Sequence, residues 1–351
     1  MFFRKKSHLV GLDIGSRALK AGEIVEIKSG YSLQRFGMLD IAYGAIEEGV
    51  IKDADKVAAS IRKLFDENSF KTQNVAVSIG GYSVIVKKIS VQTMTEEQFQ
   101  ESINSEAEQY IPFDISEINL DYQMLGEAEN NPNQMDVLLV AVKKEVINSY
   151  VDLIQMAGLN PCVMDIDAFA LQNIFELNYA LEDENVALID IGASKTSLNI
   201  LKGNSSVFIR DVAFGCGLIN RKIVSFIDCS YEEAEQFKYG DQPDRISPND
   251  VKEIISSVAD DWCNEITEAL DFFYSANPDD QIKRIVLSGG GAYIKEFREL
   301  LAIETSSEVE IINPFKNIQI DEKKFDISYL GRIAPQAAIS MGLAIRKIDD
   351  K

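Results

Sequence analysis

The sequence predicts an α/β protein of two lobes sharing one topology. Three observations carry this: the length, an Asp-Ile-Gly hairpin that occurs twice, and a glycine-rich strand-to-helix turn late in the chain. At 351 residues the chain exceeds one small core and suits two domains, each burying its own interior. Hydrophobic residues make up 46% and charged residues 26%, with eight prolines and no low-complexity run, so the chain is expected to fold nearly throughout.

The first hairpin is HLVGLDIGSRALKAGEIVEI at 8–27, an apolar strand ending in Asp13, a turn at Gly15 and a second strand; YSLQRFGMLDI at 31–41 continues as a third. NVALIDIGASKTSLNILKGNSSVFIRDV at 185–212 repeats that order around Asp190 and Gly192, half a chain later. Gly15 lets the backbone turn tightly, so the amides of Ser16 and Arg17 can converge on phosphate oxygens as an anion-binding nest. Asp13 at the strand end is placed to hold a hydrated Mg²⁺, and Lys20 can reach back along the second strand. A single Asp-x-Gly turn is usually only a hairpin turn. Two copies half a chain apart point to facing lobes.

The third element, IKRIVLSGGGAYIKEFRELL at 282–301, is a buried strand, the small residues Ser288 to Gly291, and a helix with Ile294, Phe297, Leu300 and Leu301 on one face. Such a loop lets backbone approach a flat base and ribose, although glycines there also serve close packing. It lacks the later glycine and downstream acid of the dinucleotide fingerprint.

Acidic residues outnumber basic ones 56 to 35, and a formal charge of -21 argues against nucleic acid. The basic run Arg4-Lys5-Lys6 precedes an apolar stretch that Asp13 cuts too short for an export signal, and no run approaches a membrane span. Cys162, Cys216, Cys229 and Cys263 lie far apart without C-x-x-C spacing, and His8 is the single histidine, which argues against zinc and for reduced core thiols in a cytosolic protein. His8 reads as a surface or strand-edge residue.

Between the halves, Thr95 with Gln98 forms a capping box ahead of a helix whose apolar face is Phe99, Ile103, Ala107 and Tyr110. Strands at 118–125 and 136–143, joined by a polar loop at 126–135, lead to a helix from about Glu145 to Ala157, closed by Gly158. This is a βαββα unit. A strand at 162–167 and a helix near 168–180 return to the first lobe, and 181–185 reads as a linker. A second insertion is helical: a short helix from Ser230, boxed by Glu233, and a long one from about Pro248 to Ala276. The long helix turns Val251, Ile254, Ile255, Val258, Trp262, Ile266, Leu270 and Phe273 inward as core. The organisation is a first-lobe core at 1–81, an inserted unit at 82–160, a return at 161–184, a second-lobe core at 185–217 and 281–329 split by a helical insertion at 218–280, and a C-terminal helix at 330–351 returning to the first lobe.

On these residues the sequence resembles the actin, sugar-kinase and heat-shock-chaperone superfamily, whose ATP sits between two lobes clamped by two such hairpins and an adenosine loop. Within it the chain is similar to the PilM family of type IV pilus assembly proteins, and next to the cell-division FtsA family. The likeness runs through EAEQYIPF (106–113), MDIDAFALQN (164–173), AEQFKYG (234–240), EITEALDFFYSAN (265–277), INPF (312–315) and APQAAISMGLAIR (334–346). It implies a two-lobed actin-like (ribonuclease H-like) ATPase fold with ATP and Mg²⁺ as cofactors.

By that resemblance Asp13 and Asp190 orient the metal through water, and Asp167 positions the attacking water; a solvated strand-end carboxylate is the equally open reading of Asp167. Gly15, Ser16, Arg17 and Lys20 hold phosphate from the first hairpin, and Gly192, Ala193, Ser194, Lys195 and Thr196 from the second. Glu235 and Lys238 fall at ribose and purine contacts, and Gly289, Gly290 and Gly291 form the adenosine loop. The second hairpin departs from the glycine-rich run of vigorous ATPases, which implies slow or absent hydrolysis. The resemblance further implies a cytoplasmic scaffold, peripheral at the inner face of the cytoplasmic membrane, that binds the N-terminal cytoplasmic tail of PilN. Tyr110, Ile111, Pro112 and Phe113 are expected to line or brace the peptide cleft between the inserted unit and the first lobe. Other pilus platform or motor proteins and a homodimer stay open as partners. The charged tail lacks the amphipathic helix typical of FtsA, so membrane attachment is expected through partners. An FtsA-like cytoskeletal ATPase and a small-molecule kinase of the superfamily are the alternatives.

Overall fold

The computed structural model describes residues 8–128, 131–180, 184–240 and 244–348. The chain opens with β1 (Val10–Ile14), β2 (Ala18–Ile27) and β3 (Gly30–Asp40); a ribbon of β4 (Ile46–Glu47) and β5 (Val50–Ile51) leads to α1 (Ala54–Glu67) and β6 (Asn74–Ile79). The inserted stretch supplies β7 (Val84–Gln92), α2 (Glu96–Ala107), β8 (Ile118–Ala128), β9 (Asn131–Lys143) and α3 (Lys144–Met156), and β10 (Asn160–Ile166) and α4 (Asp167–Asn178) follow. The second half contains β11 (Asn185–Ile191), β12 (Thr196–Lys202), β13 (Ser205–Val212), α5 (Gly217–Ile227), α6 (Tyr231–Lys238) and α7 (Pro248–Ala276). It ends with β14 (Ile282–Ser288), α8 (Lys295–Thr305), β15 (Glu308–Ile311), β16 (Ile318–Gln319) and α9 (Ile327–Ala344).

The sheets run β10-β6-β1-β2-β3-β16 and β13-β12-β11-β14-β15. In each, three strands form an antiparallel meander, and two more add in parallel beside the first strand of that meander. The repeat of the hairpin is thus a repeat of five strands, to which the first sheet adds β16 in parallel beside β3. β1 is buried along its entire length, which is why it reads as a continuous apolar run rather than an alternating one.

Helices α4 and α9 share a core with strands of both sheets, where Ala170, Ile174, Ala337 and Met341 meet Ala76 of β6, Leu188 of β11 and Val286 of β14. Small residues permit this closeness: a Cβ on Gly342 would overlap the backbone of Ala170. The C-terminal helix starts at Ile327, earlier than expected, and packs on strands of both sheets.

The inserted unit is a three-stranded sheet, β7-β9-β8, with α2 packed on it through Phe99. Both capping boxes form, at Thr95 and at Ser230, and α7 starts at Pro248 as expected, with Ser247 as its cap. The polar loop expected at 126–135 is instead mostly strand, because Glu127 pairs with Met135 and Ala128 with Asn131. Met135 is buried in the unit's core, and the polar residues around it face water from a hairpin extension, where polarity does not oppose pairing. Helix α3 buries Tyr150, Leu153 and Ile154 in the first-lobe core beside Ile61 and Leu64. The unit is therefore anchored at both ends. Arg4 to Lys6, the loop residues Glu129 and Asn130, the linker residues 181–183 and the tail 349–351 lie outside the described residues.

Candidate functional site

The two hairpin turns face each other across a cleft of about 800 Å³. Each turn closes on itself: Gly15 N–H donates to the Ala18 carbonyl at 3.2 Å, and Gly192 N–H to that of Lys195 at 2.9 Å. Their tips touch, with Ser16 Oγ 2.7 Å from Ser194 Oγ. Lys20 stands directly across the β1-β2 ladder from Asp13, which places its ammonium 3.0 Å from Asp13 Oδ2. Ladder register, not chain flexibility, explains the seven-residue spacing.

Three carboxylates converge here. Burial pushes the Asp190 carboxyl up to about 6, reinforced by the negative Asp13 and Asp167 and opposed by the Ser288 hydroxyl and Lys20. Burial likewise raises Asp13 against the pull of Lys20. Asp167, the first residue of α4, is different: burial would raise it, but Lys195 at 2.6 Å and the Ser78 hydroxyl at 2.5 Å hold it below the ordinary carboxylate range. Asp167 is an ion-paired group, so the solvated reading is overturned by a lysine that crosses from the other lobe.

Gly289 has φ +81, and a Cβ there would lie 2.7 Å from the carbonyl carbon of Ile191, so only glycine fits. Gly290 lines the cleft. Gly291 packs instead under Ile191, where a Cβ would meet the Ile191 Cβ at 2.8 Å and Cys216 Sγ at 3.2 Å. On the facing wall Glu235 accepts from Lys238 at 2.7 Å and from Asn220, which together hold it low despite burial. Arg17 lies under the Tyr231 ring at 5.5 Å, and Tyr43 stacks on the same ring at 3.7 Å.

Of the residues expected here, Asp13, Gly15, Ser16, Arg17, Lys20, Asp167, Asp190, Gly192, Ala193, Ser194, Lys195, Glu235, Lys238, Gly289 and Gly290 line the cleft. Thr196 does not. It is fully buried, and its hydroxyl donates to the Phe214 carbonyl at 3.0 Å, because the strand alternation turns it inward. Sequence reasoning missed Ser78, Gly80, Tyr43, Tyr231 and Gln336, all at or beside the cleft. The pair Gly80-Gly81 after a buried strand carried the same signal as Gly289 to Gly291; the others carried none.

A second cavity, of about 270 Å³, lies where β7, the β10-α4 junction and β13 meet, lined by Gly81, Tyr82, Val86, Ile166, Ile209 and Asp211 among others. Tyr110 to Phe113 do not line it. Ile111 is buried in the inserted unit's own core, and Tyr110 and Phe113 pack against that core, with Lys87 above the Tyr110 ring and Lys143 above the Phe113 ring.

Two matching sheets closing on a cleft through paired hairpins define the actin-like ATPase fold, here with an inserted βαββα unit and a helical second-lobe insertion. The chain belongs to the family described as type IV pilus assembly protein PilM, whose match spans residues 11–348. It is similar to the solved PilM-PilN type IV pilus biogenesis complex at 26% identity and a TM-score of 0.87, covering 98% of this chain and 100% of that one. MreB 5 of Spiroplasma citri bound to AMPPNP shares the fold at a TM-score of 0.52 and 12% identity, covering 96% of this chain and 95% of that one. Cell division protein FtsA of Bacillus subtilis is 25% identical over 256 residues, 65% of this chain and 57% of that protein, so the match spans little more than half of that relative. Among the described residues no helix is long and apolar enough to cross a membrane.

Proposed function

We propose that this chain is a nucleotide-dependent scaffold of type IV pilus assembly, binding ATP with Mg²⁺ between its lobes and the N-terminal cytoplasmic tail of PilN beside its inserted unit. The observation that carries the nucleotide reading is the meeting of the two hairpin tips beside Asp13, Lys20 and Asp190. The residues fit the ligand. The turn amides and Lys20 suit phosphate oxygens, Asp13 and Asp190 suit a hydrated Mg²⁺, and Mg²⁺ supplies charge neutralisation on the phosphates. Gln336 lines the same cleft as Gly290, and its buried Oε1 has no hydrogen-bond partner among the described residues. Hydrolysis is slow or absent, since the second hairpin carries Ala193, Ser194 and Lys195 in place of a glycine run.

Calorimetry with MgATP tests this: wild type binds, Asp190→Ala binds severely more weakly, and equal affinity removes Asp190 from the site.

For the partner, the smaller cavity offers apolar walls from β7 and the β10-α4 junction, and backbone approach at Gly80 and Gly81, which suits an extended peptide. Tyr110, Ile111, Pro112 and Phe113 brace the inserted unit rather than form that wall. The same reading places the chain at the inner face of the cytoplasmic membrane through its partner. A synthetic PilN tail titrated into the full chain binds wild type and loses affinity for Val86→Glu, which still binds ATP. Unchanged peptide binding moves the docking site elsewhere.

A further inference from the structure

Lys195 leaves the second hairpin and crosses to the first lobe. Its ammonium lies 2.6 Å from Asp167 Oδ2 and 4.0 Å from Asp211 Oδ2. The other Asp167 oxygen, Oδ1, accepts the Ser78 hydroxyl at 2.5 Å. Gly80 keeps this space open, since a Cβ there would stand 2.5 Å from Asp167 Oδ2 and overlap Lys195 Nζ. Asp211 is fixed in turn by the N–H of Gly81. Asp167 also begins α4, where the helix dipole favours negative charge. Lys195, Ser78 and the helix end together stabilise the Asp167 anion against burial and the nearby carboxylates of Asp13 and Asp190. A carboxylate held this way is a weak proton acceptor, because acid–base catalysis works best with a group that titrates near the working pH.

We propose that Lys195 is a positioning residue that ties Asp167 into an ion pair and so makes this chain hold its nucleotide rather than split it. The proposal rests on the reading of the cleft as an ATP site. To assist hydrolysis, Asp167 must accept a proton from a water whose oxygen bonds to the terminal phosphorus. The bond from that phosphorus to the bridging oxygen then breaks, and its electron pair leaves with the diphosphate. With Lys195 in place, one Asp167 oxygen is committed to the ammonium and the other to Ser78.

The test uses the full chain, with phosphate release from MgATP measured between about pH 5 and 9 and ATP affinity measured separately by calorimetry. Lys195→Met releases phosphate roughly tenfold or more faster than wild type, the scale of a restored general base. Its acid limb lies above that of wild type, since the Lys195 ammonium no longer opposes the burial of Asp167 and only the Ser78 hydroxyl, Lys20 and the helix end still do. Lys195→Arg keeps the charge and the slow rate, and Asp167→Asn added to Lys195→Met abolishes the gain. Lys195→Gln repeats the measurement if methionine disturbs folding. A neutral variant that binds ATP but releases phosphate no faster than wild type overturns the proposal. Loss of ATP affinity in the neutral variants also overturns it, by making Lys195 a phosphate ligand. Absence of ATP binding by wild type sinks the nucleotide reading and this inference with it.

Discussion

Replacing Gly342 by alanine sets two effects of opposite sign against each other. Glycine inside a helix costs about 1 kcal/mol relative to alanine, so propensity alone predicts that Gly342→Ala stabilises α9. Packing predicts the reverse. The new Cβ would stand 2.6 Å from the Ala170 carbonyl carbon and 3.2 Å from its Cα, where ordinary contact is 3.4–4 Å. The obstacle is backbone, so α4 and α9 must separate by roughly 1 Å, a gap that forfeits a quarter to a half of each dispersion contact along the seam. Overpacking of this kind, which here also loosens buried Ala337, Ala338 and Met341, costs about 1–3 kcal/mol, and against the propensity gain of about 1 kcal/mol a net loss of up to about 2 kcal/mol is expected. Gly331 supplies the control. It lies in the same helix with nothing within 4 Å of its Cβ position, so Gly331→Ala gains up to about 1 kcal/mol. Urea denaturation followed by circular dichroism reads both midpoints. If Gly342→Ala shifts the midpoint in the same direction as Gly331→Ala, the close approach of α4 and α9 is wrong, and with it the placement of Asp167 at the head of α4.

Burial pushes the Cys216 thiol up to about 11, so at pH 8 only about a thousandth is thiolate, against about a quarter for an ordinary thiol. Alkylation mapped by mass spectrometry rises about tenfold per pH unit toward pH 11; fast labelling that levels off near pH 8.5 contradicts the burial. Trp262, stacked on Phe214 and edge-on to Phe297 with both centroids at 5.5 Å, is fully buried, and Trp262→Ala costs about 3–5 kcal/mol in the second lobe. A loss under about 1 kcal/mol is incompatible with that packing. Thr95→Ala removes the cap on the Gln98 amide and costs about 1 kcal/mol, seen as faster hydrogen exchange confined to the first turn of α2. Faster exchange spread evenly over both lobes argues against an inserted unit with its own core.

The sheet repeat was legible because Asp13 and Asp190 end buried strands, and the glycines after them mark turns with a backbone requirement. Helix starts were legible at Thr95 and Ser230 because capping is a local event between residues three apart, and the long helix was expected from about Pro248. What escaped depends on contacts between distant segments. Nothing in the order of residues tells that Lys195 reaches Asp167 across the cleft, or that Tyr43 stacks on Tyr231. The resemblance implies a phosphate contact at Thr196, but the first residue of β12 points whichever way the pleat dictates. The extension of β8 and β9 was hidden because Asn131 to Gln134 look like a turn, whereas a solvent-facing hairpin tolerates such residues once Met135 anchors its register.

Ser16 and Ser194 sit at the tips of corresponding turns, and their hydroxyls meet at 2.7 Å. Two hydroxyls at that separation share one proton between their oxygens, so one side donates and the other accepts. The duplicated halves are therefore unequal at the point where they touch, however closely their strands correspond. Whichever serine accepts keeps its own proton to aim elsewhere. Exchanging the parts requires two hydroxyl rotations and no displacement of the main chain. The junction of the repeats is a small reversible dipole, laid over an asymmetry of sequence, since Ser16 directly follows Gly15 while Ala193 separates Ser194 from Gly192.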